Sequence, residues 1–440
     1  MKFIKKPSLT AKQTIGSLII KGSSLVLSLI SSVILARLLG PENLGVYAFC
    51  VGIITILVIP SSFGLQHLLL REIPKKMVHK NFEELKGLLL RGSHYSFLVS
   101  ALLGLMIIIF ACFSGNSNDY QLALYWSALF LPSLAMLQIT SSTLKGFGVI
   151  VFGQFIELTA KPFIFLSLIC CLCFLTKERI LSYQAIYMQA LATIVACGIG
   201  VYFIIKKDLL KFFPKVEATF NKKLLRSALV LMMYTGVSAL NNNISILMLG
   251  SFNMQKEIGF FSVAQRGADV VAFALIAVSN ALSPKISHYY SQNKMNILQD
   301  MINKSSIIII FYTIPCAFVL ILFSNTIIKF VFGAEYISSV IPFCIICIGQ
   351  LFNAVFGYCG LTLNMIGNEI LTMICISIGF ILNLLLNLFL IPKYGINGAA
   401  VASAVGLISW KLIASLILDK QFGIRFGPFL VKELFNKDDA

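Results

Sequence analysis

Charged side chains are scarce in this sequence of 440 residues. Only 12% of the residues are Asp, Glu, Lys or Arg, and 58% are hydrophobic, whereas about a quarter of a typical soluble domain is charged. The mean hydropathy of +0.90 agrees with this imbalance. These values exclude a water-soluble enzyme and predict an integral membrane protein.

Residues that bind metals or carry out catalysis are few and dispersed. The four histidines are His67, His79, His94 and His288. Cysteines lie within apolar segments, where a thiol is normally a small core residue. Cys344 and Cys347 have a spacing typical of metal sites, but no histidine is near them in the sequence. The sequence therefore predicts no metal site, no cofactor and no disulfide framework.

Long apolar runs are frequent instead. A helix needs about 20 apolar residues to cross the hydrocarbon core, and about twelve segments satisfy this length. The first follows a basic N-terminal stretch and is too long for a signal peptide, so we interpret it as a retained span. The predicted spans are residues 14–38, 43–66, 88–113, 119–143, 150–175, 180–205, 224–250, 258–283, 305–330, 337–362, 370–391 and 399–420. Because the connections are short, we predict an all-α membrane protein without a soluble domain.

The basic residues indicate the topology of these spans. If both termini are cytoplasmic, most of the 35 lysines and arginines fall in cytoplasmic segments, as the positive-inside rule requires. The sequence therefore predicts a multi-pass protein with both termini in the cytoplasm. The formal net charge of +17 is mainly a signal of topology. We expect membrane lipids as partners and no nucleic acid.

The chain divides into two similar halves. The longest basic loop, Lys206–Lys223, separates six predicted spans from six. The segments Leu39–Phe49 and Leu249–Ala264 join the first two spans of each half, and both run from Leu-Gly through a polar turn to a second glycine and aromatic residues. Any glycine-containing hairpin has this pattern, so the repeat alone is weak evidence. We predict two six-helix lobes, residues 1–215 and 216–440, around a central cavity.

Among the ionisable side chains of the predicted spans, seven are candidates for the transport path, because a charge at membrane depth usually faces a cavity or a partner. They are Lys21, Arg37, Glu157, Lys161, Arg266, Asp269 and Lys411. Arg37 lies near the end of a span and can extend to the membrane surface. Lys21 and Lys411 have no acidic neighbour on their own helix. Since cations in a transport path suit an anionic passenger, these lysines favour a negatively charged substrate.

Two other features leave alternatives open. Glu157 and Lys161 are spaced i,i+4, and Arg266 and Asp269 are spaced i,i+3, so each pair is either a structural ion pair or part of the transport path. Asn242 lies in a run of three asparagines within a span. Such amides either bond neighbouring helices together or line a wet path where sugar hydroxyls can bind.

Three segments resemble bacterial polysaccharide flippases of the O-antigen type. Gly16–Phe49 contains an Ala-Arg-x-Leu-Gly-Pro stretch followed by Gly-x-Tyr, as the opening of these proteins does. Ile258–Gln292 is similar to the start of their second lobe, and Tyr394–Leu412 is similar to their last span. The family is part of a superfamily that also contains multidrug exporters and flippases of lipid-linked peptidoglycan precursors.

The resemblance implies a transporter and not an enzyme. It would flip a polyprenyl-diphosphate-linked oligosaccharide, an O-antigen or capsule repeat unit, from the cytoplasmic to the outer leaflet of the bacterial inner membrane by ion-coupled alternating access. A polysaccharide polymerase and a chain-length regulator are the implied protein partners. The residues expected to bind the diphosphate or sugar are Lys21, Arg37, Lys161, Arg266, Lys411 and Asn242, and those expected to couple an ion are Glu157 and Asp269.

Two alternatives fit the composition less well. A cation-coupled multidrug exporter of the same superfamily is the first, and the excess of cations over acids within the spans disfavours it. The second is a membrane enzyme of the same pathway. Such an enzyme usually has a large outside loop with catalytic charges, whereas the predicted outside connections here, such as Pro392–Gly398, are short.

Overall fold

A computed structural model describes residues 7–79, 82–113, 118–176, 179–207 and 222–427, and these residues form helices and turns without any strand. The helices are α1 Pro7–Ser62, α2 Leu65–Val78, α3 Phe82–Phe113, α4 Asn118–Gly146, α5 Ile150–Phe155, α6 Lys161–Thr176, α7 Ser182–Lys206, α8 Lys222–Ser251, α9 Gln255–Ala268, α10 Phe273–Ser291, α11 Met295–Leu322, α12 Ser324–Ile327, α13 Val340–Val355, α14 Cys359–Met365 and α15 Glu369–Phe422. Two π-helical turns occupy Ile156–Ala160 and Ile328–Phe332, and a 3-10 helix occupies Ala334–Ser339. The predicted all-α class is confirmed.

The two longest helices are each interrupted at one glycine. Gly40 in α1 has φ 74° and Gly395 in α15 has φ 55°, values that glycine adopts much more readily than other residues. A straight α15 of 54 residues would measure about 80 Å at about 1.5 Å per residue, far beyond the roughly 30 Å of a hydrocarbon core. A Cβ on Gly379 would lie 2.8 Å from the carbonyl oxygen of Gly406. The chain therefore reverses at Gly395, and the two segments of α15 pack against each other.

The number of spans agrees in part with the expectation. Among the described residues, eight helices are long and apolar enough to cross a membrane, and α9 with the first part of α10 makes a ninth if the bent pair is one span. Two of the eight are α1 and α15. Each is interrupted at one glycine and is long enough for two crossings. Every one of the twelve predicted spans overlaps a helix, and the total of about twelve crossings stays a prediction.

Residues 258–283 do not form the single continuous helix that the sequence predicts. The chain bends by 55° between α9 and α10. The amides of Val270, Val271 and Ala272 bond to carbonyls three residues earlier, at 3.0–3.4 Å. These tighter turns interrupt the α-helical ladder and change the helix direction. Asp269 lies directly in this break.

A further helix, α2, occupies a segment that the sequence analysis treats as a loop. Leu68, Leu69 and Ile73 are buried and pack with apolar residues of α3 and α4. Lys76 is also buried and forms an ion pair with Glu84 of α3. The basic residues lower the hydropathy of α2 below that of a span, although its buried face is apolar apart from Lys76. Helix α2 therefore packs against α3 and α4 through one face only.

The helices group into two compact units, of which the first contains Met1–Leu39 and Val46–Gly236. Its central helix is α4, which packs against α2, α3, α5 and α7. A Cβ on Gly104 of α3 would lie 2.9 Å from the Ala128 carbonyl, and one on Gly200 of α7 would lie 2.6 Å from Thr140. Small residues therefore allow the neighbouring helices to approach α4 closely.

The second unit contains Gly40–Gly45 and Val237–Ala440, and within it α13 packs against α9, α11 and α15. The turn Gly40–Gly45 lies against α9: a Cβ on Gly45 would overlap the carbonyl oxygen of Gln255, and a Cβ on Gly259 would overlap that of Pro41. Gly45 and Gly259 are the second glycines of the two repeated segments. Each contacts the carbonyl four residues before the other, so the repeat forms a reciprocal contact. The predicted boundary at residues 215 and 216 lies outside the described residues and stays a prediction.

The segment after α15 also belongs to the packed core of the second unit. Phe426 is fully buried, and its ring contacts that of Tyr358 edge to face at 5.3 Å between centroids. The side-chain amide of Gln299 bonds both backbone groups of Arg425, at 2.9 and 3.0 Å. Ser415 donates to the Phe426 carbonyl at 3.3 Å. Residues 423–427 are thus fixed to α11, α15 and the turn before α14.

Candidate functional site

A charged cluster lies inside the first unit, where the end of α4 meets α5 and the π-helical turn. Gly148, at φ 85°, allows the sharp turn between the two helices. A Cβ on Gly153 of α5 would lie 2.8 Å from the Ser141 carbonyl oxygen. Because Gly153 has no side chain, α5 approaches α4 closely enough for Glu157, one turn later, to reach the side chains of α4.

Glu157 forms an ion pair with a lysine from α4. Its Oε2 accepts a hydrogen bond from Lys145 Nζ at 2.6 Å and lies 2.7 Å from the Ser141 hydroxyl. Both side chains of the pair are mostly buried, with 16% and 27% of their surface exposed. Charged hydrogen bonds of this length are stronger than neutral ones. Glu157 is therefore neutralised by Lys145, which the sequence analysis placed in a cytoplasmic loop.

Lys161 has a different environment from the one that its i,i+4 spacing suggests. Its Nζ lies 5.4 Å from the centre of the Phe130 ring, on the face of a buried aromatic side chain of α4. Glu157 lies within the π-helical turn Ile156–Ala160, which ends directly before Lys161, and this wider turn changes the angle between the two side chains. Such turns are frequent at functional sites. The charge of Glu157 nevertheless acts on Lys161.

Lys21 of α1 completes the cluster. Its side chain is partly buried, and it adds a third lysine near Lys145. The cluster thus contains Lys21, Lys145 and Lys161 against the single carboxylate of Glu157. Its formal charge is positive within a segment of the protein that is poor in water, where charges interact more strongly than in bulk solvent.

Buried polar atoms accompany these charges. The side-chain oxygens of Gln138, Gln154 and Thr159 are buried, and none has a hydrogen-bond partner within the described part of the chain. Gln154 and Thr159 precede and follow Glu157, and Gln138 lies one helical turn before Ser141 on α4. Since buried polar atoms are nearly always satisfied, these oxygens are suited to bind water or a polar ligand.

The other predicted site residues lie elsewhere. Arg37 is exposed on α1 close to the break at Gly40, and Asn242 is exposed on α8. Arg266 and Asp269 form a loose ion pair at 3.9 Å at the break after α9, with 56% and 43% of their side chains exposed. The structure therefore brings together Lys21, Glu157 and Lys161, whereas the assignment of all predicted residues to substrate binding or ion coupling stays a prediction.

Lys411 is buried in the second unit and has a structural partner. Its Nζ donates to the carbonyl of Gly357 at 2.7 Å and lies 4.7 Å from the centre of the Trp410 ring. Gly357 is in the turn between α13 and α14, where helix carbonyls lack their usual partners. The side chain of Lys411 therefore satisfies a helix end within the protein, and this geometry favours stability over substrate contact.

Two buried asparagines of the second unit, Asn383 and Asn387, bond helices together. Asn387 is fully buried and donates to Ser245 at 3.1 Å and to Asn383. Ser245 in turn lies 2.8 Å from the Ser403 hydroxyl. These contacts join α8 to both segments of α15. Of the two interpretations of intramembrane amides, helix–helix bonding describes this group.

Sequence analysis missed Lys145 because α4 extends further than predicted. The apolar run was expected to end at residue 143, but α4 continues to Gly146. Thr143 and Leu144 are buried, so the last turn of α4 is part of the bundle and Lys145 points into the cluster. In the sequence, the feature that accompanies this extension is the run of Ser and Thr residues just before Leu144, which the structure shows to be buried.

Known structures of membrane transporters share this fold of long, broken helices. The lipid II flippase MurJ in an inward closed conformation matches with a TM-score of 0.72 and 17% identity, over 92% of this chain and 88% of that chain. The MATE transporter VcmN of Vibrio cholerae in its bent form matches with a TM-score of 0.60 and 17% identity, over 94% of this chain and 96% of that chain. At such identities these likenesses show the fold.

The chain belongs to the polysaccharide biosynthesis protein family, whose model matches residues 34–341. A Haloferax volcanii protein, named as the low-salt glycan biosynthesis flippase Agl15, is 24% identical over 89% of this chain and 79% of its own length. A Shigella flexneri protein named as an O-antigen transporter is 23% identical over 85% of this chain and 89% of its own length. The chain is thus a multi-pass membrane protein of this family with a fold that known transporters share, and both of these relatives are named as transport proteins, in agreement with the sequence prediction.

Proposed function

We propose that this protein flips a polyprenyl-diphosphate-linked glycan from the cytoplasmic to the outer leaflet of the plasma membrane. The observation that carries the proposal is the mostly buried ion pair of Lys145 and Glu157 at 2.6 Å, with Lys161 four residues after Glu157 and Lys21 on α1, so that lysines outnumber carboxylates in this cluster. The lipid tail of the substrate stays in the bilayer while the diphosphate and glycan cross through the protein.

The charge of the cluster suits a diphosphate. Lysine ammonium groups bind phosphate oxygens as point charges with three donors each. Lys145 is partly neutralised by Glu157, so the anion can draw Lys145 away from this carboxylate and bind Lys21 and Lys161 as well. The unpartnered oxygens of Gln138, Gln154 and Thr159 can hold water or sugar hydroxyls beside the anion.

The predicted topology would put this cluster near the cytoplasmic end of its bundle. With both termini in the cytoplasm, α4 ends on the cytoplasmic side and Lys145 lies in its last turn. A substrate that is made on the inner leaflet would then meet the cluster early in its path. We infer an inner-membrane location and, as the resemblance to O-antigen flippases implies, a polymerase and a chain-length regulator as partners.

Transport would use alternating access driven by an ion. Glu157 and Asp269 are the candidates for this coupling. Glu157 can release Lys145 to the substrate when it binds a cation or proton, and Asp269 lies in the break between α9 and α10, where protonation would change the charge at a bend. Replacement of Glu157 by Gln or of Asp269 by Asn tests each role.

The test is a leaflet-resolved assay of lipid-linked glycan in a deletion strain that expresses variants. We expect Lys161→Ala to trap the glycan on the inner leaflet and to weaken diphosphate binding about tenfold or more, because a hydrogen bond to a charged group is lost. Lys161→Arg retains the charge and should keep part of the export. Lys393→Ala, at an exposed lysine, is the matched control. Normal export by Lys161→Ala at equal protein levels would contradict the proposal.

A cation-coupled multidrug exporter is the alternative, since MATE transporters share the fold. A positive cluster repels cationic drugs, which disfavours it. If the protein were such an exporter, its deletion would sensitise cells to cationic dyes while surface glycan stays normal. Loss of surface glycan without dye sensitivity would exclude this alternative.

A further inference from the structure

Three side chains lie together in the first unit on α1, α6 and α7. The hydroxyl of Tyr47 donates to Gln189 Oε1 at 3.3 Å. The rings of Tyr47 and Phe165 are almost parallel, at 6° and 6.4 Å between centroids. Phe165 is buried, whereas Tyr47 and Gln189 are partly exposed. The accessible parts of this group are therefore the Tyr47 ring and the Gln189 amide, and the buried ring of Phe165 packs against Tyr47.

This group directly continues the lysine cluster. Phe165 follows Lys161 by four residues in the regular helix α6, so the two side chains share a face with about 5–6 Å between their Cβ atoms. A chemical group bonded to a diphosphate at Lys161 would therefore extend to Phe165, Tyr47 and Gln189. In the proposed substrate, that group is the first sugar of the glycan.

We propose that Tyr47, Phe165 and Gln189 form a subsite for the sugar attached to the diphosphate, an inference that rests on the proposed function. A pyranose ring has C–H faces that pack on aromatic rings and hydroxyls that bond amides. Because Gln189 accepts from Tyr47 through its oxygen, this bond does not use the two N–H donors of its amide nitrogen. A lipid diphosphate without sugar has no group that needs such a surface.

The second half of the chain shows that the fold does not require this polar group. Tyr47 lies two residues after Gly45, and the equivalent residue after Gly259 is Phe261. Phe261 is almost fully buried, with 1% of its surface exposed, and it has no hydroxyl. A phenylalanine therefore satisfies the packing at this position of the repeat, so packing alone does not explain the hydroxyl of Tyr47, which bonds Gln189.

The experiment measures binding to the purified full chain in lipid nanodiscs. The probes are farnesyl diphosphate and farnesyl diphosphate carrying a single N-acetylglucosamine, glucose or galactose. We expect at least one sugar to raise the affinity of the wild-type protein over bare farnesyl diphosphate. Tyr47→Phe and Gln189→Leu should each lower the affinity for the sugar-bearing probe about three- to tenfold, the effect of one hydrogen bond. The affinity for bare farnesyl diphosphate should stay unchanged. Tyr202→Phe, at an exposed tyrosine of α7, is the control.

The outcomes separate this subsite from the proposed function. If none of the three sugars raises the affinity, or if Tyr47→Phe and Gln189→Leu weaken all probes equally, the subsite is wrong, because a purely structural role would not depend on the sugar. If Lys161→Ala leaves the affinity for bare farnesyl diphosphate unchanged, the lysine cluster and the proposed function fail instead. A gain that disappears only in the two subsite variants supports the subsite.

Discussion

Glu157 controls how much positive charge the lysine cluster offers. In the structure its carboxylate lies 2.6 Å from Lys145 Nζ. Glu157→Gln removes the negative charge and leaves Lys145 to bind other anions. We expect this variant to bind farnesyl diphosphate at least threefold more tightly, and to export glycan more slowly because release becomes harder. Glu72→Gln, at an acid that pairs with Arg71 on α2, is the control. Weaker binding by Glu157→Gln would contradict this role.

Lys411 should affect stability rather than binding. Lys411→Met keeps the aliphatic chain but leaves the Gly357 carbonyl without the ammonium donor that now lies 2.7 Å away. A buried acceptor without its partner costs about 1–3 kcal/mol, so the midpoint of thermal unfolding in detergent should fall. Binding of farnesyl diphosphate should be unchanged. Lys420→Met, at an exposed lysine of the same helix, should not lower the midpoint.

Sequence patterns located the charges within spans but not their partners. The i,i+4 spacing paired Glu157 with Lys161, yet the hydrogen bond of Glu157 is with Lys145, because a π-helical turn and a close approach at Gly153 bring α4 to it. Likewise, Lys411 looked unpaired because its acceptor is a backbone carbonyl 54 residues away. Contacts between helices of this kind depend on packing that one sequence does not encode locally.

At the scale of elements, Gly153 sets the distance between α4 and α5. Gly153→Ala would place a methyl group 2.8 Å from the Ser141 carbonyl oxygen, so α5 must move away and Glu157 with it. We expect diphosphate binding to fall severalfold, in proportion to the disturbed cluster. Gly198→Ala on α7 is the control, since a Cβ there meets no atom within 4 Å. It should be neutral or stabilising, because alanine favours a helix by about 1 kcal/mol over glycine. Equal binding by both variants would argue against this role of Gly153.

The segment after α15 is a second element whose contribution can be measured. Phe426 is fully buried against Tyr358, and Phe426→Ala should lower the unfolding free energy by about 3–5 kcal/mol, the usual effect of removing a buried phenylalanine. Arg425→Ala removes an exposed side chain but keeps the backbone bonds to Gln299, so its effect should be below 1 kcal/mol. Thermal unfolding in detergent compares the two. A similar midpoint for both would show that the segment is only loosely attached.

Most elements follow from hydropathy, and the exceptions have physical causes. All predicted spans overlap helices because about 20 apolar residues in a row have few other stable arrangements in a bilayer. Helix α2 was missed since only one of its faces is apolar, and the bend before α10 was missed since it needs no proline, only the three-residue hydrogen bonds of Val270–Ala272. The sequence shows the segments of Gly45 and Gly259 as a repeat, but it does not show that the two segments contact each other.

At the scale of the whole molecule, the distribution of basic residues predicts which side each loop faces. Fusion reporters test this directly. Green fluorescent protein fused after Lys207 should fluoresce because it stays in the cytoplasm, whereas alkaline phosphatase fused after Ser251 should be active because it is exported. The opposite pattern at both positions would reverse the topology, and with it the direction of approach to the lysine cluster.

The reciprocal contact of Gly45 and Gly259 limits how the polypeptide can be divided. The turn Gly40–Gly45 is encoded in the first half of the chain, yet it packs as part of the second unit. Co-expressed fragments 1–215 and 216–440 would therefore exchange a structural element, and neither would contain one complete unit. If the two halves arose by gene duplication, this turn would make the fold of the second unit depend on a segment encoded in the first half.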